Sequence, residues 1–201
     1  MNRESVRSPD ERPGQLGNDK KSDKKRAASL STAMKKNDIL VQLDLGRIME
    51  FGQSKFRCGP HTVHGPDHWQ RVLDNGLSLA DDSGADVIVV ALFALLHDIC
   101  REDDGADPDH GRRVAELIGV MQGDFFQLTL AQLETLQEAC RLHTAGKLSM
   151  DATIGTCWDA DRLDLGRVGT TPDPKFMSTA VGRKRALKKS ETSIKKKDQD
   201  L

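Results

Sequence analysis

Apolar positions in the middle of the chain recur at three- and four-residue steps instead of alternating, which is the period of a helix and not of a strand. The pattern predicts helices over residues 38–56, 66–83, 86–100, 110–121, 130–143 and 152–165, joined by short polar or Gly/Pro-containing links. Gly65-Pro66 marks one start sharply, because proline suits the first helical turn and restricts the residue before it. The third helix carries the run from Val87 to Leu96, apolar on every side, so it belongs at the centre. Without strand alternation or an internal repeat, about six helices make an all-α bundle.

Helical phase then sorts the polar residues, since each position advances about 100° and side chains at +3, +4, +7 and +11 share a face. His68 shares its face with Val72, Asn75 and Leu79, His110 with Val114, Leu117 and Met121, and His143 with Leu136, Ala139 and Cys140. In the helix expected over 152–165, Ile154, Cys157, Trp158, Asp161 and Leu165 form one stripe. Asp159 lies about 160° round from Asp161, so Asp161 is expected inward and Asp159 outward. His97-Asp98 ends the central apolar helix, where a carboxylate is costly unless paired or ligated. His68, His97-Asp98 and Asp161 form a dispersed H…HD…D set of imidazole and carboxylate donors without thiolates, suited to a hard or borderline divalent cation.

Charge changes the picture at the ends of the chain. The formal net charge of −1 hides an acidic body, −12 over residues 37–174, flanked by basic arms of +5 over 1–36 and +6 over 175–201. The arms have almost no aromatic residues and little apolar surface to bury, and are expected to be disordered. Solvated tails are the preferred reading over nucleic-acid or membrane-surface contact. Cys58, Cys100, Cys140 and Cys157 are scattered, indicating reduced thiols and neither a disulfide framework nor a zinc ribbon. The polar N-terminus and the absence of a long apolar run predict a soluble, cytoplasmic protein without a membrane span. No Gly-rich phosphate loop, nucleophile elbow or dinucleotide fingerprint is present.

His68-Trp69-Gln70-Arg71-Val72, Phe93-Ala94-Leu95-Leu96-His97-Asp98 and Asp159-Ala160-Asp161-Arg162-Leu163-Asp164 resemble, in order, the three signature segments of the HD superfamily of metal-dependent phosphohydrolases. The resemblance covers roughly residues 38 to 169. It implies an HD-domain helical bundle and a metal held by His68, His97, Asp98 and Asp161. Some superfamily members, cyclic-nucleotide phosphodiesterases and mixed-valent di-iron oxygenases among them, use extra histidines between the HD pair and the last aspartate for a second metal. His110 and His143 occupy that interval and face inward, and Asp98 would bridge the two ions; their alternative is to bind substrate phosphate or to hydrogen-bond in the core.

A bound divalent cation (Mn, Mg, Co, Zn or Fe, one or two) would polarise a phosphoryl oxygen and generate hydroxide near neutral pH. The expected function is hydrolysis of a small phosphoester, with nucleotides in range, by a metal-activated water. Arg71 and Arg101 are candidates to hold phosphate, with salt bridges or surface charge as their alternative. His64 is a candidate substrate contact. Many family hydrolases carry an acidic residue three or four positions after the HD aspartate to assist the water; here the third is Arg101 and the fourth Glu102, so Glu102 joins Asp98 as a catalytic candidate. Trp69 and Trp158 are expected to fill the core. The alternatives are a di-iron oxygenase using His110 and His143, and a catalytically idle HD module for regulation or binding.

Overall fold

The computed structural model describes residues 41–59 and 61–199. The N-terminal arm, and the start expected for the first helix, lie outside the described residues. Within them the architecture is all-helical: α1 Leu45–Lys55, α2 Pro66–Ser83, α3 Val87–Leu96, α4 His110–Met121, α5 Leu130–Leu142, α6 Ala152–Arg162 and α7 Ala180–Gln199, with short 3₁₀ turns at Leu165–Val168 and Pro174–Phe176. No named strand occurs among the described residues.

Local chemistry accounts for the boundaries. Pro66 opens α2, and Gly84 closes it in the left-handed conformation at φ 74°. Asp86 caps α3 by accepting from the backbone N–H groups of Ile88 and Val89, and Asp151 does the same at α6 for Thr153 and Ile154. Thr129 and Gln132 form a reciprocal capping box at α5. Every residue of α3 from Val89 to Leu96 is buried, and the helix packs against α1, α2, α5 and α6, the central place its all-round apolarity requires. Trp69 and Trp158 are core residues: Trp69 donates its indole N–H to the His64 carbonyl, and Trp158 donates to the Ala139 carbonyl.

Two helix ends differ from the expected ones. α3 stops at Leu96, and 97–100 form tight turns in which Ile99 and Arg101 donate to the carbonyls of Leu96 and Asp98. Likewise α6 stops at Arg162 and passes into a 3₁₀ turn beginning at Leu165. His97-Asp98 and Asp161 therefore lie at or just past helix ends, where the backbone changes direction and brings chemistry from different helices together.

The expected disordered arm from 175 is corrected: its central part is α7, packed against α2 and α6. Ala186 is fully buried, Arg185 donates to the Ser78 hydroxyl, and Lys189 donates to the Leu163 carbonyl at 2.6 Å. Its composition is basic, but Ala186 is buried on the bundle side while Arg185 and Lys189 reach α2 and the end of α6 with their polar tips.

The same helix overturns the outward placement of Asp159. This residue is fully buried and accepts from Ser178 N at 2.6 Å, Thr179 N at 2.8 Å and Thr179 Oγ1 at 2.7 Å, fastening the approach to α7. Burial pushes its carboxyl above the usual range despite those donors. Gly182 is required there, since a Cβ would collide with the Asp159 carboxylate. Helical phase did separate Asp159 from Asp161; what it faces is a helix and not water.

Asp159→Ala is expected to lower the unfolding free energy by about 2–4 kcal/mol, because two backbone N–H groups and a hydroxyl lose their acceptor. Urea denaturation measures this, and an unchanged midpoint would contradict the anchoring role. Gly182→Ala should be destabilising at the same junction, whereas Gly166→Ala, where an added Cβ meets nothing within 4 Å, should be near neutral.

Candidate metal centre

Four histidines from four parts of the chain converge around Asp98. His68 comes from the first turn of α2, His97 from the C-cap of α3, His110 from the first residue of α4 and His143 from the C-cap of α5. The last two meet because Gly111 lets α4 approach α5, where a Cβ at that position would lie 2.5 Å from the Cys140 carbonyl oxygen.

Each imidazole is oriented by its Nδ1. His68 Nδ1 meets Asp164 Oδ2 at 2.8 Å, His97 Nδ1 lies 3.2 Å from the carbonyls of both Phe93 and Ala94, and His143 Nδ1 lies 2.7 Å from the Cys140 carbonyl. His110 Nδ1 contacts the Asp107 carbonyl. Carbonyls and carboxylates can only accept, so each neutral ring carries its proton on Nδ1 and points the lone pair of Nε2 inward. Such a second partner is what sets the tautomer of a metal-ligating histidine.

The inward nitrogens form two groups that share Asp98. In the first, His68 Nε2 is 3.2 Å from His97 Nε2 and 3.4 Å from Asp161 Oδ1, while Asp98 Oδ2 is 3.7 Å from His68 and 3.5 Å from His97. In the second, His110 Nε2 is 2.9 Å from His143 Nε2, and Asp98 Oδ1 is 3.1 and 3.4 Å from the two. Two nitrogen lone pairs at such distances repel unless a proton or cation lies between them. Ligands at about 2.0–2.2 Å from one cation are themselves separated by about 3.0–3.4 Å, close to the observed spacings. Asp98 Oδ1 is buried without a hydrogen-bond partner among the described residues, so proximity to the imidazoles does not satisfy it. His68, His97 and Asp98 in the first group, and Asp98, His110 and His143 in the second, could each hold a metal ion.

The electrostatics follow from this crowding. Burial alone would raise the Asp98 carboxyl, but His97, His110 and His143 outweigh it and hold the group well below the carboxylate range. Asp161 is lowered in the same way, with burial outweighed by its His68 contact and by His97. Burial pulls His97 down to about 4. At His68 and His143 burial is outweighed by carboxylates, Asp161 and Asp164 for the former and Asp98 for the latter, so both are raised.

The other expected residues divide. Arg71 Nε donates to Asp164 Oδ1 at 2.8 Å, steadying the carboxylate that orients His68. Arg101 is buried beside the second group, with Nη1 3.8 Å from Asp98 Oδ1 and 3.5 Å from His110 Nε2. Its other nitrogens donate to the carbonyls of Asp103 and Gly105. His64 stands beside His68 with ring centroids 6.3 Å apart, its Nδ1 2.9 Å from Asp104 Oδ1. Glu102 is exposed and lines a shallow pocket with Lys55, Arg57 and Arg113; because α3 has already ended, its +4 spacing from Asp98 does not place it on a shared helical face.

Two residues with evident roles were not singled out from the sequence. Asp164 orients His68 and accepts from Arg71. Arg167 has a side chain only 11% exposed, with Nη1 4.0 Å from both Asp161 Oδ1 and Asp164 Oδ2. The Asp161, Asp164, Arg167 spacing of three was the available signal, because side chains three apart eclipse in a 3₁₀ turn. It was obscured by extending the preceding α-helix to 165.

No protein-family model matches the sequence, and no curated protein matches it. Among solved structures the chain is similar to the crystal structure of a predicted HD superfamily hydrolase from an uncultured Thermotogales bacterium, with a TM-score of 0.66 and 24% sequence identity, over 79% of this chain and 92% of that one. The chain has the HD-domain fold, with His68, His97, Asp98, His110 and His143 buried at its helix ends and the turns after them.

Proposed function

We propose that the protein is a metal-dependent phosphohydrolase that cleaves a small phosphoester, nucleotides included, by a metal-activated water. The observation that carries this reading is Asp98, a buried carboxylate whose two oxygens face two histidine pairs at donor spacings suited to cations. His68, His97, Asp98 and Asp161 would hold one divalent ion, and Asp98, His110 and His143 a second. Such ions supply Lewis-acid polarisation of a phosphoryl oxygen and a water acidic enough to ionise near neutral pH. Asp164, held by Arg71, keeps the His68 lone pair aimed inward. Arg101 places positive charge beside the second group, and His64 with Asp104 flanks the first. The similarity to a predicted hydrolase of this fold supports hydrolysis.

The second group also favours one other reading, a di-iron oxygenase, because a paired site with a shared carboxylate suits redox metals as well. Metal identity separates the two. With Mn, Mg or Co, phosphate release from nucleotides or sugar phosphates, or ring opening of cyclic nucleotides to monophosphates, supports hydrolysis; two irons per chain with oxygen consumption and neither of these products would replace that reading.

Asp161→Ala is expected to remove metal and reduce turnover by at least a hundredfold while the protein stays folded, whereas Asp159→Ala should keep its metal in the folded fraction. Elemental analysis beside the unfolding curve checks both, and equal metal retention would contradict the assignment of Asp161. His110→Ala with His143→Ala should lose one ion per chain; unchanged stoichiometry would remove the second site.

A pH dependence follows from the raised His68 and His143. Protonation of groups with raised pKa stabilises the metal-free fold below the ordinary histidine value near 6.5, a contribution lost as pH rises through the folded pKa. Metal competes with those protons, so the increase in melting temperature caused by Mn should be larger at about pH 8 than at about pH 6. Thermal scans at the two pH values test this, and an equal increase at both would contradict proton competition.

A further inference from the structure

Among the described residues, two buried side-chain atoms lack a hydrogen-bond partner, and both lie at the candidate centre: Asp98 Oδ1 and Arg167 Nη1. The first asks for a cation. The second, a guanidinium N–H, asks for an acceptor, since a buried donor left unmet has lost its hydration with nothing in return. Arg167 is otherwise well placed: its Nε donates to the Val63 carbonyl at 2.9 Å, which ties the 3₁₀ turn after α6 to the segment preceding α2. With Nε held there, Nη1 lies 4.0 Å from Asp161 Oδ1 and from Asp164 Oδ2, on the Asp161 side of the cluster.

From this geometry we infer that Arg167 is the substrate-anion residue of the site, giving Nη1 to a phosphoryl oxygen at the His68–His97–Asp161 group. The inference rests on the phosphohydrolase reading and names the side chain that would recognise its substrate. Neither arginine expected from the sequence is as free to do so. Arg71 also uses its Nε, on Asp164, but its side chain is half exposed and water can meet its remaining donors, while Arg101 has Nε and Nη2 on loop carbonyls and Nη1 against His110 and Asp98. Asp161 and Asp164 do not satisfy Arg167 either: at 4.0 Å they are beyond hydrogen-bond distance, and both carboxylates are engaged with His68. The substrate would therefore carry its anionic group toward the turn after α6, and its remaining portion away from it.

The test uses the full chain loaded with Mn and inorganic phosphate as the probe, titrated calorimetrically, with metal content and melting temperature measured on the same samples. Arg167→Gln should weaken phosphate binding roughly tenfold or more with metal content unchanged, as expected for losing a charge-assisted hydrogen bond. Arg167→Lys keeps the charge but not the fork, and should fall between it and the wild type. Arg112→Gln, at an exposed pair with Glu116, removes the same charge from the surface and should bind phosphate as the wild type does. If the wild type turns over p-nitrophenyl phosphate, its KM should rise in both Arg167 variants by more than kcat falls.

Phosphate affinity within twofold of the wild type in Arg167→Lys and Arg167→Gln overturns the inference, as does a wild-type holoprotein that binds no phosphate. Loss of metal in parallel with lost affinity also overturns it, making Arg167 a structural support of Asp161 and Asp164. If Arg167→Gln does not fold, Arg167→Lys decides by the same criteria. A wild type that binds phosphate through Arg167 but hydrolyses no phosphoester leaves the inference standing and removes the phosphohydrolase reading; hydrolysis with undiminished phosphate affinity in the variants does the reverse.

Discussion

A carboxylate buried at the end of the most apolar helix is the constraint around which the molecule is arranged. Asp98 cannot lie beside the α3 core as an isolated charge, since several kcal/mol of lost hydration would have to be offset there. Four imidazoles surround it, each turned by a carbonyl or carboxylate at Nδ1 so that Nε2 faces inward. This concentrates acceptors and lone pairs where protein donors are scarce. The resulting deficit of positive charge is the physical reason to expect divalent ions, and a bound ion would contribute to the folding balance.

The helices serve this arrangement through their ends. α3 stops before His97, α5 stops before His143, α4 begins at His110, and α6 ends just past Asp161. Ligands on helix ends can converge from different directions, whereas side chains along parallel helices would meet only across a seam. The outer layer is coupled to the same segment: Asp159, two residues before Asp161, holds the approach to α7, and Lys189 of α7 donates to Leu163. The C-terminal helix thereby braces the turn that carries Asp161, Asp164 and Arg167.

Much of the fold was legible because helical periodicity is a local property. The ranges of α2 and α4 match the expected ones, and the inward phase of His68, His110 and His143 follows from apolar neighbours three and four positions away; Asp161 reaches the same cluster with its side chain 18% exposed. Ligand chemistry was legible for a related reason: a histidine or aspartate on an apolar stripe needs a partner, and several in one small bundle can share one. The places where local reasoning did not suffice are helix ends. α3 was expected to run to Cys100 and ends at Leu96, and extending α6 to Leu165 hid the eclipsed spacing of Asp164 and Arg167.

The sequence by itself determined the helical class and the central position of Val87 to Leu96, and it singled out His68, His97 and Asp98, which the fold brings together, since each depends on the character and spacing of neighbouring residues. Tertiary structure alone decided that Asp98 faces both histidine pairs, that Arg167 rather than Arg71 has an unmet donor at the site, and that Asp159 is covered by a helix. Those outcomes depend on which distant segment lies opposite a given side chain. Phase gives the direction in which a side chain points, but not what stands there.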